Sequence, residues 1–137
     1  MINSSATGFQ KFRVADYTVS KHGAVGLLRG LAPVTFPHLP LRLNIVAPDW
    51  TLTSIIDPEF VKATESLGSV WQTSEAVARS AGLLMADEKR HGQIIFSKGG
   101  EFQEVESVFS EVAERICGEG PSLDHAVEVV AVTLVEH

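Results

Sequence analysis

The sequence holds one cysteine, Cys117. A lone thiol excludes an internal disulfide and a Cys-based zinc site, and near the end of a helical stretch it reads as a small apolar residue. The histidines at 22, 38, 91, 125 and 137 show no metal-ligand spacing, so no resident metal is expected, and His22 reads as a surface or helix-packing residue. Positive charge is scarce as well. Eleven Lys and Arg against seventeen Asp and Glu leave a formal net charge of −6, which gives no general attraction to nucleic acid or to an anionic membrane. No apolar run approaches the ~20 residues that span a bilayer, and the N-terminus lacks the basic-then-apolar layout of a signal peptide. A cytoplasmic protein is expected. Neither Gly-x-Gly-x-x-Gly nor Gly-x-x-x-Gly-x-Gly occurs anywhere, so the chain has no backbone cradle of that kind for a pyrophosphate. Internal repeats and low-complexity tracts are absent too.

What is present, at 137 residues, suits one domain over 1–137 with a real core. Met1-Ile2-Asn3-Ser4 has the composition of a strand end arriving at Ser5. Residues 9–15 read as a polar loop, with Asp16 as N-cap of the next helix. Val25, Leu28, Leu31 and Ala32 recur at three- and four-residue spacing, predicting an amphipathic helix from Tyr17 to about Ala32 that Pro33 ends or kinks. After the turn-rich Pro37 and Pro40, Leu41 to Ala47 is nearly continuously apolar, as in a parallel strand covered on both faces, with Arg42 and Asn44 as exceptions.

Between Asp49 and Gln72 the periodicity is weak, and a mobile segment and a short helix packed by Trp50 and Trp71 are equally good readings. Thr73-Ser74-Glu75 then opens a helix with Val77, Ala81, Leu84 and Met85 on one face. Asp87-Glu88-Lys89-Arg90 reads as a solvated turn. Gln93 to Ser97 is a second apolar strand ended by Gly99-Gly100. Val105, Val108, Phe109, Val112 and Ile116 predict a helix from Phe102 to Ile116, broken by Gly118-Glu119-Gly120-Pro121. A final helix over 126–135 follows, with Ser122 or Asp124 as its cap.

One pair of residues looks like chemistry. On a helix Tyr17 and Lys21 stand at i and i+4, on one face. An ammonium beside a phenol favours the phenolate, so the phenol can exchange a proton with an alcohol or carbonyl oxygen that a hydroxyl such as Ser5 holds by a hydrogen bond. Alone, Tyr-x-x-x-Lys is a weak signal, since rings and lysine stems share helix faces by chance.

Its company strengthens it. Asn3-Ser4-Ser5-x-x-Gly8 precedes the pair, Ser20-Lys21-His22-Gly23-Ala24-Val25-Gly26-Leu27 follows Tyr17, and Arg42-Leu43-Asn44-Ile45-Val46-Ala47-Pro48 and Gly92-Gln93-Ile94-Ile95-Phe96-Ser97-Lys98-Gly99-Gly100 come later in order. Together these segments resemble the C-terminal portion of the short-chain dehydrogenase/reductase family. The resemblance implies an α/β fold: an incomplete doubly wound, Rossmann-like parallel sheet of roughly three strands with flanking helices. It implies that the N-terminal dinucleotide-binding half is missing, that 53–72 is a substrate-lid segment and that 101–137 holds C-terminal helices.

It further implies Ser5 as donor to the substrate oxygen, Tyr17 as general acid/base, and Lys21 as the residue that activates the tyrosine and binds the nicotinamide ribose. Thr51 and Thr53 would touch the nicotinamide amide and phosphates of NAD or NADP. The family's usual Pro-Gly is Pro48-Asp49 here, which puts a carboxylate and a Cβ where backbone should approach the cofactor. The expected substrate is a carbonyl or secondary alcohol of a small lipophilic molecule, of the kind met in secondary metabolism. A non-redox isomerase, dehydratase or cyclase using the same pair is the alternative, and an inert pseudoenzyme a third. A sheet lacking its first half exposes an edge, so a homo-oligomer or a complementing partner chain is expected.

Overall fold

A computed structural model describes residues 1–118, 123 and 125–128. Four strands lie side by side in chain order, β1 (Ile2–Asn3), β2 (Ile45–Pro48), β3 (Ile94–Lys98) and β4 (Glu101–Glu104), the middle two built from apolar, Ile-rich runs and the last from mostly polar residues. β1 and β2 run parallel with Ile2 opposite Ile45, and β2 and β3 run parallel from Ile45 opposite Ile94 to Pro48 opposite Ser97. The carboxyl ends of all three therefore lie at one edge. That edge is where open α/β sheets place their ligands.

β2 is buried on both faces, as its unbroken apolar run requires. Val46 and its register partner Ile95 cluster with Leu84, with Val77 and Ala81 packed beside them. Ile45, Ala47 and Ile94, which the pleat turns to the opposite face, are buried too. The exceptions in the run, Arg42 and Asn44, fasten the loop alongside. Arg42 Nη1 donates to the carbonyls of Leu84, Asp87 and Arg90 at 3.2, 2.9 and 3.0 Å. The Asn44 amide donates to Arg90 and accepts from Gln93 N.

The connections are helical. α1 (Ala15–Thr35) joins β1 to β2, and α2 (Pro58–Glu65) and α3 (Ser74–Ala86) join β2 to β3. The cap of α3 is as the sequence suggests, Thr73 accepting from Ala76 N, while α2 starts at Pro58 behind Asp57, whose side chain accepts from Glu59 N. At α1 the structure differs. Val14 occupies the N-cap without a side-chain bond, and Asp16 lies inside the first turn, where its charge suits the helix dipole. The helix also continues past Pro33 to Thr35. The Ala32 carbonyl in its last turn takes bonds from Thr35 Oγ1 and His91 Nε2.

The larger difference lies after β3. Gly99 and Gly100 both have positive φ, at 58° and 86°, and reverse the chain into β4, which pairs antiparallel with β3 from Lys98 opposite Glu101 to Ile95 opposite Glu104. The sheet thus has four strands, and the helix expected from Phe102 begins only at Glu106, as α4 (Glu106–Cys117). Its start is set by Glu104, whose carboxylate accepts from Glu106 N at 2.8 Å, Ser107 N at 3.1 Å and Ile94 N at 3.3 Å.

Two compact units divide the chain, 1–107 and 108–137. In the second, the rest of α4 leaves Val108, Val112, Ile116 and Cys117 exposed, and Gly118 with φ 81° follows. Of the helix expected over 126–135, residues 126–128 are helical and the rest, with the proposed caps Ser122 and Asp124, lies outside the described residues. Among the described residues no helix is long and apolar enough to cross a membrane.

Glu104 offers a test of the turn into α4. Burial alone would raise its pKa, but the bonds from Ser107, Glu106 and Ile94 outweigh it and hold the carboxylate below the usual glutamate value. Stability from a depressed carboxylate is fully present above the unfolded pKa, about 4.3, and is lost as pH falls through the folded one. Glu104→Gln should therefore cost about 1 kcal/mol at neutral pH by urea denaturation, and the gap to wild type should close in strong acid. A gap that persists unchanged in acid would contradict the capping role.

Candidate active site

The site begins where β1 ends. Ser4 N bonds the Val46 carbonyl at 2.9 Å, while its buried hydroxyl donates to the Lys21 carbonyl of α1, also at 2.9 Å. Next comes a 3-10 turn, Ala6–Gly8, capped by Ser5, whose Oγ accepts from Thr7 N at 3.3 Å and donates to the carbonyl of Pro48, the last residue of β2, at 3.4 Å. Gly8 lets this turn sit on α1. A Cβ there would lie 2.6 Å from Ser4 Oγ and 2.9 Å from the Lys21 carbonyl oxygen.

On α1, Tyr17 and Lys21 do share a face. Lys21 Nζ lies 5.4 Å from the Tyr17 ring centroid and donates to the Asn3 carbonyl at 3.2 Å. The ammonium therefore bridges the phenol ring and the strand end that carries Ser5. Tyr17 is 41% exposed, and its hydroxyl makes no hydrogen bond with the described residues. An open phenol beside an ammonium, with a serine hydroxyl at the neighbouring strand tip, can polarise and protonate a carbonyl oxygen. His22, next to this pair, bonds the Thr18 carbonyl of its own helix at 3.0 Å.

The other two residues singled out for cofactor contact stand differently. Thr51 Oγ1 donates to the Asp49 carbonyl at 2.8 Å and accepts from Gln72 Nε2 at 3.3 Å, so its hydroxyl already holds local structure. Thr53 is exposed, and its hydroxyl is free among the described residues. The Asp49 carboxylate turns to Lys98 Nζ at 3.5 Å, at the end of β3. Among the described residues no three His, Cys, Asp or Glu side chains are grouped to hold a metal ion.

Gln72 carried no signal in the sequence, yet it holds this end of the sheet. At 4% exposure its Nε2 lies within bonding distance of the Ser97 carbonyl, Ser97 Oγ and Thr51 Oγ1, and its Oε1 accepts from Gly100 N. Its backbone accepts from Leu52 N and donates to the Trp50 carbonyl. Residues 50–72 thus leave and return at one pinned base. Between the ends, the helical alternative holds: α2 packs Phe60 against Trp50 and Trp71, with centroids 5.7 and 6.3 Å apart, and the two indoles lie 5.1 Å apart.

The seating of the 3-10 turn is testable. Gly8→Ala should destabilise the protein by about 1–3 kcal/mol through overpacking against backbone, and Ser4→Ala by about 1 kcal/mol through loss of a buried hydrogen bond. Both are read from urea denaturation. An unchanged midpoint in Gly8→Ala would contradict the close approach.

No model of a protein family matches the sequence. Among curated proteins, the chain is 39% identical over 118 residues to short-chain dehydrogenase/reductase ascJ of Acremonium egyptiacum, a match taking in 85% of this chain and 39% of that protein. Among solved structures, a candidate NAD(P)-dependent gluconate 5-dehydrogenase of Beutenbergia cavernae, with NADP bound at low occupancy, matches with a TM-score of 0.61 and 30% identity over 72% of this chain and 43% of that one. The ligand-free aldohexose dehydrogenase of Thermoplasma acidophilum shares the fold at a TM-score of 0.59 and 21% identity, over 72% of this chain and 45% of its own. The chain spans less than half the length of each. Its 39% identity to a curated member over 85% of its own length, with its Rossmann-like α/β sheet, places this chain in the short-chain dehydrogenase/reductase family.

Proposed function

We propose that the chain carries the substrate-side part of an NAD(P)-dependent oxidoreductase site acting on the carbonyl or secondary alcohol of a small lipophilic molecule, in the cytoplasm and in secondary metabolism. Tyr17 exchanges the proton with the substrate oxygen, Ser5 holds that oxygen by turning its one hydroxyl hydrogen to it from the Pro48 carbonyl, 3.4 Å away, and Lys21 stabilises the negative charge that forms on the phenol as its proton leaves. The support is one set of contacts: Lys21 over the Tyr17 ring and tied to Asn3, beside a phenol without a partner among the described residues.

The nicotinamide end of a dinucleotide fits what is present. Lys21 has ammonium hydrogens beyond the one on Asn3, and Thr53 has a free hydroxyl, while Thr51 is engaged and Asp49 is paired with Lys98. When bound, the nucleotide supplies or accepts the hydride. The sequence itself has no Gly-rich turn for the pyrophosphate, so that grip would come from a complementing chain, or from an interface between two copies that holds the phosphates without such a turn. The same lack, with a carboxylate at Asp49, favours a second reading in which Tyr17 and Lys21 drive a non-redox isomerisation, dehydration or cyclisation. Segment 53–72, pinned at its base by Gln72, would cover the substrate in either case.

Titration with NADH and NADPH by calorimetry, together with ketone turnover, separates these. The expected outcome is nucleotide binding, with turnover reduced by about 10²–10⁴-fold in Tyr17→Phe while binding persists. Tyr17-dependent turnover without nucleotide binding would establish the non-redox enzyme. Turnover indifferent to Tyr17→Phe would overturn the site.

A further inference from the structure

The chain contains seven Phe, one Tyr and two Trp, and five of these rings form one continuous series that starts at the reacting phenol. Phe12, in the loop before α1, meets Tyr17 edge-on at 6.2 Å and Trp50 edge-on at 6.4 Å. Trp50 passes the series on to Trp71 and to Phe60 of α2. Rings gathered only to fill a core would be buried. Here Phe12 is 39% exposed and Phe60 45%, so faces remain open beside the open Tyr17.

We infer that this ring series is the substrate wall of the site and that it selects a flat, uncharged aromatic or conjugated ketone or alcohol over a puckered or polyhydroxylated one. Three observations carry it. The wall is continuous with Tyr17, so a molecule stacked on Phe12 can present its oxygen to the phenol. Its polar equipment is sparse: the Trp71 indole N–H is spent on Thr64 Oγ1 at 3.1 Å, which leaves the Trp50 N–H as the one indole donor to meet a sugar's several hydroxyls. And it is held at its base, since Gln72 ties Trp50 and Trp71 to the sheet through backbone and side chain, so the stacking surface is already formed before a ligand arrives.

The inference rests on Tyr17 being the proton partner of the carbonyl, and the experiment keeps the two apart. Both tryptophans lie in the wall, so intrinsic fluorescence, checked by calorimetry, reports binding to the purified chain. Three probes are compared: 2-acetylnaphthalene, its decahydro analogue with the same carbon skeleton, and fructose. 2-Acetylnaphthalene should bind about tenfold more tightly than the saturated analogue and far more tightly than fructose. Phe12→Ala and Phe60→Ala should each weaken it by about two- to tenfold, the range expected for losing one aromatic partner. Phe12→Leu and Phe60→Leu, which keep apolar bulk, should show the same loss with the far-UV circular dichroism of the wild type. Tyr17→Phe, which keeps the ring and loses only the hydroxyl, should keep the preference for the flat ketone over its saturated analogue. Equal affinity for the flat and puckered ketones, or variants at positions 12 and 60 that bind like wild type, would overturn the wall even if Tyr17 proves catalytic. Stacking selectivity that survives while Tyr17→Phe retains turnover would uphold the wall and remove the acid/base role instead.

Discussion

Ser4 is the joint on which the site hangs. Its backbone N–H extends the β1 to β2 ladder, and its buried hydroxyl reaches into α1 to bond the Lys21 carbonyl. A hydroxyl removed from water must find such a partner or cost about 1–3 kcal/mol, so strand end and helix are locked at this one level. Gly8 completes the lock by letting the 3-10 turn approach where any side chain would collide. With that level fixed, the Lys21 side chain falls back over the Tyr17 ring to the Asn3 carbonyl, while Ser5, one residue on, faces the end of β2. Sequence neighbours thus divide the labour: Ser4 looks inward to hold the frame and Ser5 faces the strand tips.

A second fastening governs the other side of the strand ends. Gln72 is buried with both ends of its amide engaged, which a lone polar group in a sheet needs if it is not to destabilise the fold. Through it Trp50 and Trp71, at the two ends of residues 50–72, are fixed to β3. Asp49 and Thr51, just beyond the end of β2, are bound to Lys98 and to Gln72. The same strand ends therefore show an open phenol and rings on one side and self-satisfied polar groups on the other. This asymmetry accompanies a chain that spans 39% of its curated relative.

What could be read from residues alone follows the range of the forces involved. The buried run at Ile45–Ala47, the Thr73 cap and the shared face of Tyr17 and Lys21 are local patterns, and each stands as its spacing suggests. β4 was hidden because Gly99-Gly100 looks the same whether it ends a strand or reverses it, and because Val105 can begin a helical stripe or close a hairpin. The helix passes Pro33 because that proline falls in the last turn, where its missing N–H removes only the bond to the Arg29 carbonyl; the Ala32 carbonyl, an orphan of the helix end, is taken by Thr35 Oγ1 and His91 Nε2. Gln72 and Phe12 gave no sign at all. Their roles come from partners far off along the chain, Ser97 and Gly100 for one and Trp50 for the other, and no periodicity records such contacts.

Because Tyr17 is the sole tyrosine, the phenol at the centre of the account can be watched by itself. Labelled with 3-fluorotyrosine, the protein gives one fluorine resonance from that ring. Addition of a ketone that the protein turns over should shift this resonance, and Ser5→Ala should diminish the shift by loosening the hold on the carbonyl oxygen. A resonance that stays in place while the same ketone is consumed would show that the chemistry happens elsewhere.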